Sequence, residues 1–380
     1  MIDAYFEAAI QQARERARIL KTKMPRPVPH VDLLALQRLC DERLDQIISQ
    51  LDFLLEDQSV REARNLTQRV RLWRRCLLNL SQIETTGIVA LSRSHPDDVF
   101  LNRLVFQIHQ EINYPLAPPA ACCLSREYFA INTWLHLLEV PPAESDFLLH
   151  LPDLYHKLGH PLIAASNDMH VEAFQHQLGQ FIGFVSAHLQ RERALSLRST
   201  GPKEYHGGIL DLLERAWVPW SNELFCDLFA IYTLGPAYAW AHFHLTGTFG
   251  VDPYGEHLTR FLSHPPDQAR MEVMLIGLDM IDMQKESAAI QTQWSALMGI
   301  LGVSQPATYR RACPRHLLES AAAYALDGTR SIGCRIAGQE VPGSIGHLLN
   351  AAWSQFWISP QDYHQWERRE IQALKSRSAG

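Results

Sequence analysis

Long apolar runs are missing from this chain: no window approaches the ~18 uninterrupted apolar residues that a membrane-spanning helix needs. The start, Met1-Ile-Asp-Ala-Tyr-Phe-Glu7, lacks the cationic opening and apolar stretch of a secretory leader. Positive charge is not in excess either. A net charge of −6 leaves no basic footprint for nucleic acid and no polybasic patch for an anionic membrane. No glycine-rich phosphate loop follows a strand pattern, and no Gly-x-Ser-x-Gly nucleophile elbow occurs. The seven cysteines (Cys40, Cys76, Cys122, Cys123, Cys226, Cys313 and Cys334) are odd in number, and none stands in a Cys-x-x-Cys pair. That argues against a disulfide framework and a cysteine zinc knuckle, and it fits reduced thiols in a cytoplasmic protein.

What is present is ordinary globular composition, 47% hydrophobic and 20% charged, over a length that calls for two or three packing units. Apolar residues recur at three- and four-residue spacing over 2–22, which predicts a helix; the proline-rich stretch 25–29 breaks it. Two longer amphipathic stretches, 31–55 and 60–91, predict a helical hairpin. Further helices are expected over 97–114, 151–165, 171–193, 209–234, 266–291, 314–326, 343–357 and 360–374. Residues 128–140 are the best place for a strand or two, 247–255 for a loop, and the tail from Ser376 for fraying. The resulting division is 1–95 for the hairpin region, 96–303 for a central domain and 304–380 for a C-terminal helical region.

Three segments carry chemistry. In Leu151-Pro-Asp-Leu-Tyr-His-Lys-Leu-Gly-His160, His156 and His160 lie four apart, so a helix puts both imidazoles on one face where they can share an ion. About one such pair is expected by chance from 18 histidines in 380 residues, so the spacing alone decides little. In Ser221-Asn-Glu-Leu-Phe-Cys-Asp-Leu-Phe-Ala230, Glu223 and Asp227 share a helical face whose neighbours are apolar nearly all round. Such a helix is normally buried, and two buried carboxylates need a strong partner: a metal with a ligating histidine, or an arginine or lysine. In Ser263-His-Pro-Pro-Asp-Gln-Ala-Arg270, a His-Pro-Pro turn opens a helix and holds His264 at its mouth.

In this order the three segments resemble the gluzincin type of zinc metallopeptidase, in particular the group of the CAAX-processing and heat-shock membrane proteases. The resemblance covers about 115 residues, from 153 to 270, and leaves out the N-terminal hairpin, the C-terminal helices and the membrane spans of that group. It implies a mainly α, zincin-like core with at most a small β-element, zinc held by His156, His160 and Glu223, and Asp227 orienting a ligand histidine. His264 and Arg270 would lie at the edge of the site, and the substrate or partner would be a peptide or protein.

One position departs from the pattern. Lys157 stands where the family has the glutamate that takes a proton from the attacking water. A lysinium roughly 5 Å from a dication would be repelled by about 6–7 kcal/mol at an effective dielectric near 20. Neutralising it at pH 7 costs about 4.6 kcal/mol, so beside zinc it should lose its proton or swing away. Two expectations follow: a zinc-binding metallopeptidase-like protein with weakened or altered hydrolysis, or an inactive pseudo-peptidase that serves as a protein-binding scaffold. Pro161 is expected to end or kink the helix at His160. His242 and His244, two apart, read as core or rim. His176-Gln-Leu-Gly-Gln180 echoes the metal helix but lacks its second histidine, and Asp153 or Glu172 would serve only in a rearranged site.

Overall fold

The computed structural model describes residues 2–61, 65–93, 95–125, 128–166, 168–200, 208–249, 252–255, 264–338 and 341–377. The chain is mainly helical with one small sheet, and it separates into two units. One comprises 1–103 and 119–142, the other 104–118 and 143–380. The sheet strands thus group with the N-terminal helices.

In the first unit α1 (Ile2–Lys23) packs on α2 (Leu34–Glu56), followed by α3 (Gln58–Arg61), α4 (Leu66–Gln82) and α5 (Ile88–Leu91). The seam on α1 is Ile10, Ala13, Ala17 and Leu20; that on α2 is Leu36, Cys40, Leu44, Ile47, Leu51 and Leu54. Both run at three- and four-residue steps, and the alanines let the two backbones approach. Between α4 and α5 the helix widens into a π turn, Ile83–Gly87. A Cβ on Gly87 would stand 2.7 Å from the Cys40 sulfur, which accounts for glycine there. Helix α6 (Pro96–Glu111) begins in this unit, and the boundary between the units falls within it. The sheet has three strands, β1 (Ala120–Cys122), β2 (Ala130–Asn132) and β3 (Leu137–Glu139), in the order β1-β3-β2. β1 is parallel to β3, with Ala121 opposite Leu138; β2 is antiparallel to β3, with Ile131 opposite Leu138. Two of these strands fall in the stretch read as strand-forming.

In the second unit the helices are α7 (Asp153–Ala164), α8 (Glu172–Thr200), α9 (Gly208–Leu234), α10 (Pro236–Phe249), α11 (Asp267–Met280) and α12 (Gln284–Leu301). After them come α13 (Ala307–Ala312), α14 (Arg315–Ser331), α15 (Ile345–Ile358) and α16 (Tyr363–Arg377). Helix α9 is the axis of the unit: α7, α8, α10, α11 and α14 all pack on it. From Leu224 to Leu234 every residue is buried, as the all-round apolar pattern requires. Each fully buried Leu, Ile or Phe there contributes about 1.5–3 kcal/mol of transfer free energy, enough to carry a few buried polar groups along.

Three local expectations change. The stretch 266–291 is two helices, because the chain turns at Asp282 with a positive φ of 63°. Residues 236–249, with His242 and His244, form a helix; Gly235 at φ 91° ends α9 and Pro236 opens α10. Helix α7 does not stop at His160. It runs on to Ala164 with Pro161 inside it. Burial of Pro161 and Leu162 outweighs the lost bond, and the Gln175 amide caps the end by donating to the carbonyls of Leu162 and Ala165, each at 2.8 Å.

Candidate metal centre

Helix α7 supplies two histidines and α9 two carboxylates, and a glycine brings the two helices together. Between the histidines, Gly159 faces Cys226, which lies between Glu223 and Asp227. A Cβ on Gly159 would stand 2.8 Å from the Cys226 Cα and 2.9 Å from its sulfur. Only hydrogen on one side and a small side chain on the other permit that approach.

At this crossing the ligand atoms of His156, His160 and Glu223 all lie within 4.8 Å of one another. The two Nε2 atoms are 3.3 Å apart, and His156 Nε2 is 3.4 Å from Glu223 Oε2. Two atoms bound at 2.0–2.1 Å to a tetrahedral zinc stand about 3.3–3.4 Å apart. The donor set and both spacings therefore fit a zinc ion.

Behind these groups lies a buried polar network. His156 Nδ1 is 2.8 Å from Asp227 Oδ1 and 2.9 Å from the Tyr238 hydroxyl. Arg270 grips Asp227 with two bonds, Nε to Oδ2 at 2.8 Å and Nη2 to Oδ1 at 2.6 Å, and also donates to the Tyr238 oxygen at 3.2 Å. Tyr238 gives its single proton to Asp227. With that proton spent, Nδ1 of His156 is the donor left for this cluster, while Nε2 of the same ring faces His160 and Glu223. A ligand histidine with its other nitrogen on a carboxylate has its tautomer and ring orientation set.

The electrostatics agree. Burial works against the charged Asp227, yet the Arg270 charge and the bonds from Arg270 and His156 hold its pKa well below the ordinary value. Glu223 is likewise drawn down to about 2, against its burial, chiefly by contact with His156. Burial, with His156 alongside, lowers His160 to about 3 and keeps it neutral, the form in which imidazole binds metal.

His264 Nε2 is 3.7 Å from Glu223 Oε2, and its side chain is 56% exposed, so it stands on the open side of the centre. Arg270, expected at the edge, lies behind the centre as the counter-charge of Asp227. The carboxylate pair is therefore split: Asp227 has the arginine, Glu223 faces the histidines. Lys157 is half-buried, forms no ion pair with any described residue, and exerts its charge on His160, His264 and Cys226. Asp153 is buried near Tyr238, while Glu172 is exposed at the start of α8. Tyr238 is the participant that the sequence reading missed. Its only signal was the Gly235-Pro236 break, which folds α10 back beside α9.

His95, Asp97 and Cys123 form a second close group. There His95 Nδ1 already accepts the Asp97 amide at 3.3 Å, at the positive end of α6, and burial pushes the Cys123 thiol up to about 12. All seven cysteines are buried free thiols. Among the described residues no helix is long and apolar enough to cross a membrane. No family model, no curated protein and no solved structure matches the chain.

Proposed function

We propose that this chain is a zinc-binding protein of the gluzincin metallopeptidase type, whose peptide-bond hydrolysis is weakened or altered by Lys157. The observation that supports it most is the meeting of His156, His160 and Glu223, with Asp227 on the far nitrogen of His156. The two halves of this arrangement, His156 and Glu223, are 67 residues apart in sequence and meet at the crossing of α7 and α9.

His156, His160 and Glu223 would hold the ion, which when bound supplies Lewis-acid polarisation of a substrate carbonyl. The protein's own groups do the rest. Arg270, Asp227 and Tyr238 fix the His156 ring, so the ligand set needs little rearrangement on binding. His264 reaches the centre from the solvent side, where a peptide would enter. Lys157 cannot accept a proton while charged, and once neutral it lacks the two fixed oxygens with which a glutamate aligns water. The same residue favours the second reading, a pseudo-peptidase that keeps the centre and binds a protein partner. Free thiols throughout support a reducing, cytoplasmic setting.

Elemental analysis of the purified chain tests the proposal. About one zinc per chain is expected, together with a rise in melting temperature when zinc is returned to chelator-treated protein. A metal-free preparation whose melting temperature ignores added zinc would overturn it.

A further inference from the structure

A second cavity lies on the face formed by α10, α12 and α15, all within the second unit. Its volume is about 640 Å³, the scale of sites that enclose a whole small molecule. A packing gap would be far smaller, because interiors tolerate few voids larger than a water. Small residues make the room: Pro236 and Ala237 open α10, and Ala289 faces them from α12.

The walls are tryptophan. Trp240 is stacked on Trp353, with centroids 6.1 Å apart and planes inclined by 21°, and meets Trp357 at 4.8 Å and 48°. Trp240 and Trp353 are buried; Trp357, at 37% exposure, forms the lip. Among the described residues the one ionisable side chain in the lining is the Glu286 carboxylate, with Thr292 and Gln293 on the same helix. Among the described residues no lysine or arginine lines the cavity. The cation–π contact found among the described residues, Arg43 over Trp134, belongs to the other unit.

Indole faces are the strongest aromatic partners for a cation, and they suit one that is bulky and weakly hydrated. The Glu286 carboxylate in the lining completes the charge, and among the described lining residues there is no cation to oppose the ligand. An anion would meet Glu286 with nothing to neutralise it. We infer that the Trp240–Trp353–Trp357 cavity, with Glu286 at its rim, binds a free small molecule bearing a quaternary ammonium group. The site is separate from the metal centre and does not rest on that reading.

Choline is the probe. Saturation transfer from the purified protein to the N-methyl protons of choline is measured across a titration. The control is its uncharged carbon isostere, with tert-butyl in place of trimethylammonium. Choline should saturate one site, and the isostere should bind at least threefold more weakly. Trp357→Ala should weaken choline by about tenfold and Glu286→Gln by about threefold. Glu286 is exposed, so that variant reads the charge even if Trp357→Ala disturbs α15. Three results would overturn the inference: no saturable transfer, an isostere that binds as well as choline, or wild-type affinity in both variants. Capture by phosphatidylcholine vesicles without binding of soluble choline would also overturn it, since the ligand would then be a lipid surface.

Discussion

Two pentapeptides in this chain share a pattern and differ in their surroundings. On α7, His156-Lys-Leu-Gly159-His160 packs on α9, with His156, Leu158 and Gly159 buried. On α8, His176-Gln-Leu-Gly179-Gln180 turns His176, Gly179 and Gln180 to solvent and buries only the leucine. Gly159 touches Cys226, whereas a Cβ on Gly179 would meet nothing within 4 Å. His156 faces Glu223 and Asp227; His176 lies 3.5 Å from Gln180. Four-residue spacing gives a helix one shared face. Whether that face becomes a metal site depends on what the opposing helix presents and how near it can come.

The largest expected effect is at the second position of each pentapeptide. Lys157→Glu supplies a base at the centre, and a general base contributes about 10²–10⁴-fold in rate. Gln177→Glu, on α8, should change nothing. The assay is cleavage of unfolded casein and a peptide library, with zinc and with chelator. A Lys157→Glu protein that folds, binds zinc and cleaves nothing would decide for the scaffold reading.

Next comes the fifth position. His160→Gln makes the first pentapeptide like the second and should lower zinc affinity by more than 100-fold, beyond the usual cost of losing an outer partner. Gln180→His should not create a comparable site, because His176 and Gln180 are turned to solvent. Zinc titration against a chromophoric chelator measures both, and tight binding by Gln180→His would break the comparison.

The network behind the centre should matter somewhat less. Tyr238→Phe should reduce zinc affinity by about 10–100-fold while leaving the helices folded. Asp227→Ala is a poorer test, since it would leave Arg270 buried and unpaired at a cost of about 3–5 kcal/mol. Unchanged affinity in Tyr238→Phe would mean that the hydroxyl serves only to satisfy Asp227.

The smallest effects lie at the glycines, where the signs should oppose. Gly159→Ala forces α7 off Cys226 and should destabilise by about 1–3 kcal/mol. Gly179→Ala adds a helix-favouring residue in open space and should stabilise by about 0.5–1 kcal/mol. Denaturant titration of the two variants gives the comparison directly.

The sequence carried more of the centre than of the fold around it. Glu223 and Asp227 stood out because their neighbours are apolar on every side, a local property. His156 and His160 stood out by spacing, but the echo on α8 shows how little spacing settles without the opposing helix. Tyr238 was hidden for a physical reason: it reaches Asp227 from a separate helix, and only the turn at Gly235-Pro236 brings it there. Residues 236–249 gave no helical period because nearly every side of α10 is apolar or aromatic. The break at Asp282 was missed because its cause is a left-handed backbone turn in a segment with no glycine or proline.

His264 carries a consequence for exchange. His156, Asp227 and Arg270 close the back of the centre, Glu223 is only 12% exposed, and beside it the His264 ring is 56% exposed. An ion held there can leave along that side without any helix separating from its neighbours. Removal by a chelator should therefore follow the chelator's concentration and proceed far below the unfolding temperature. A metal held by the proposed ligands would then exchange while the chain stays folded.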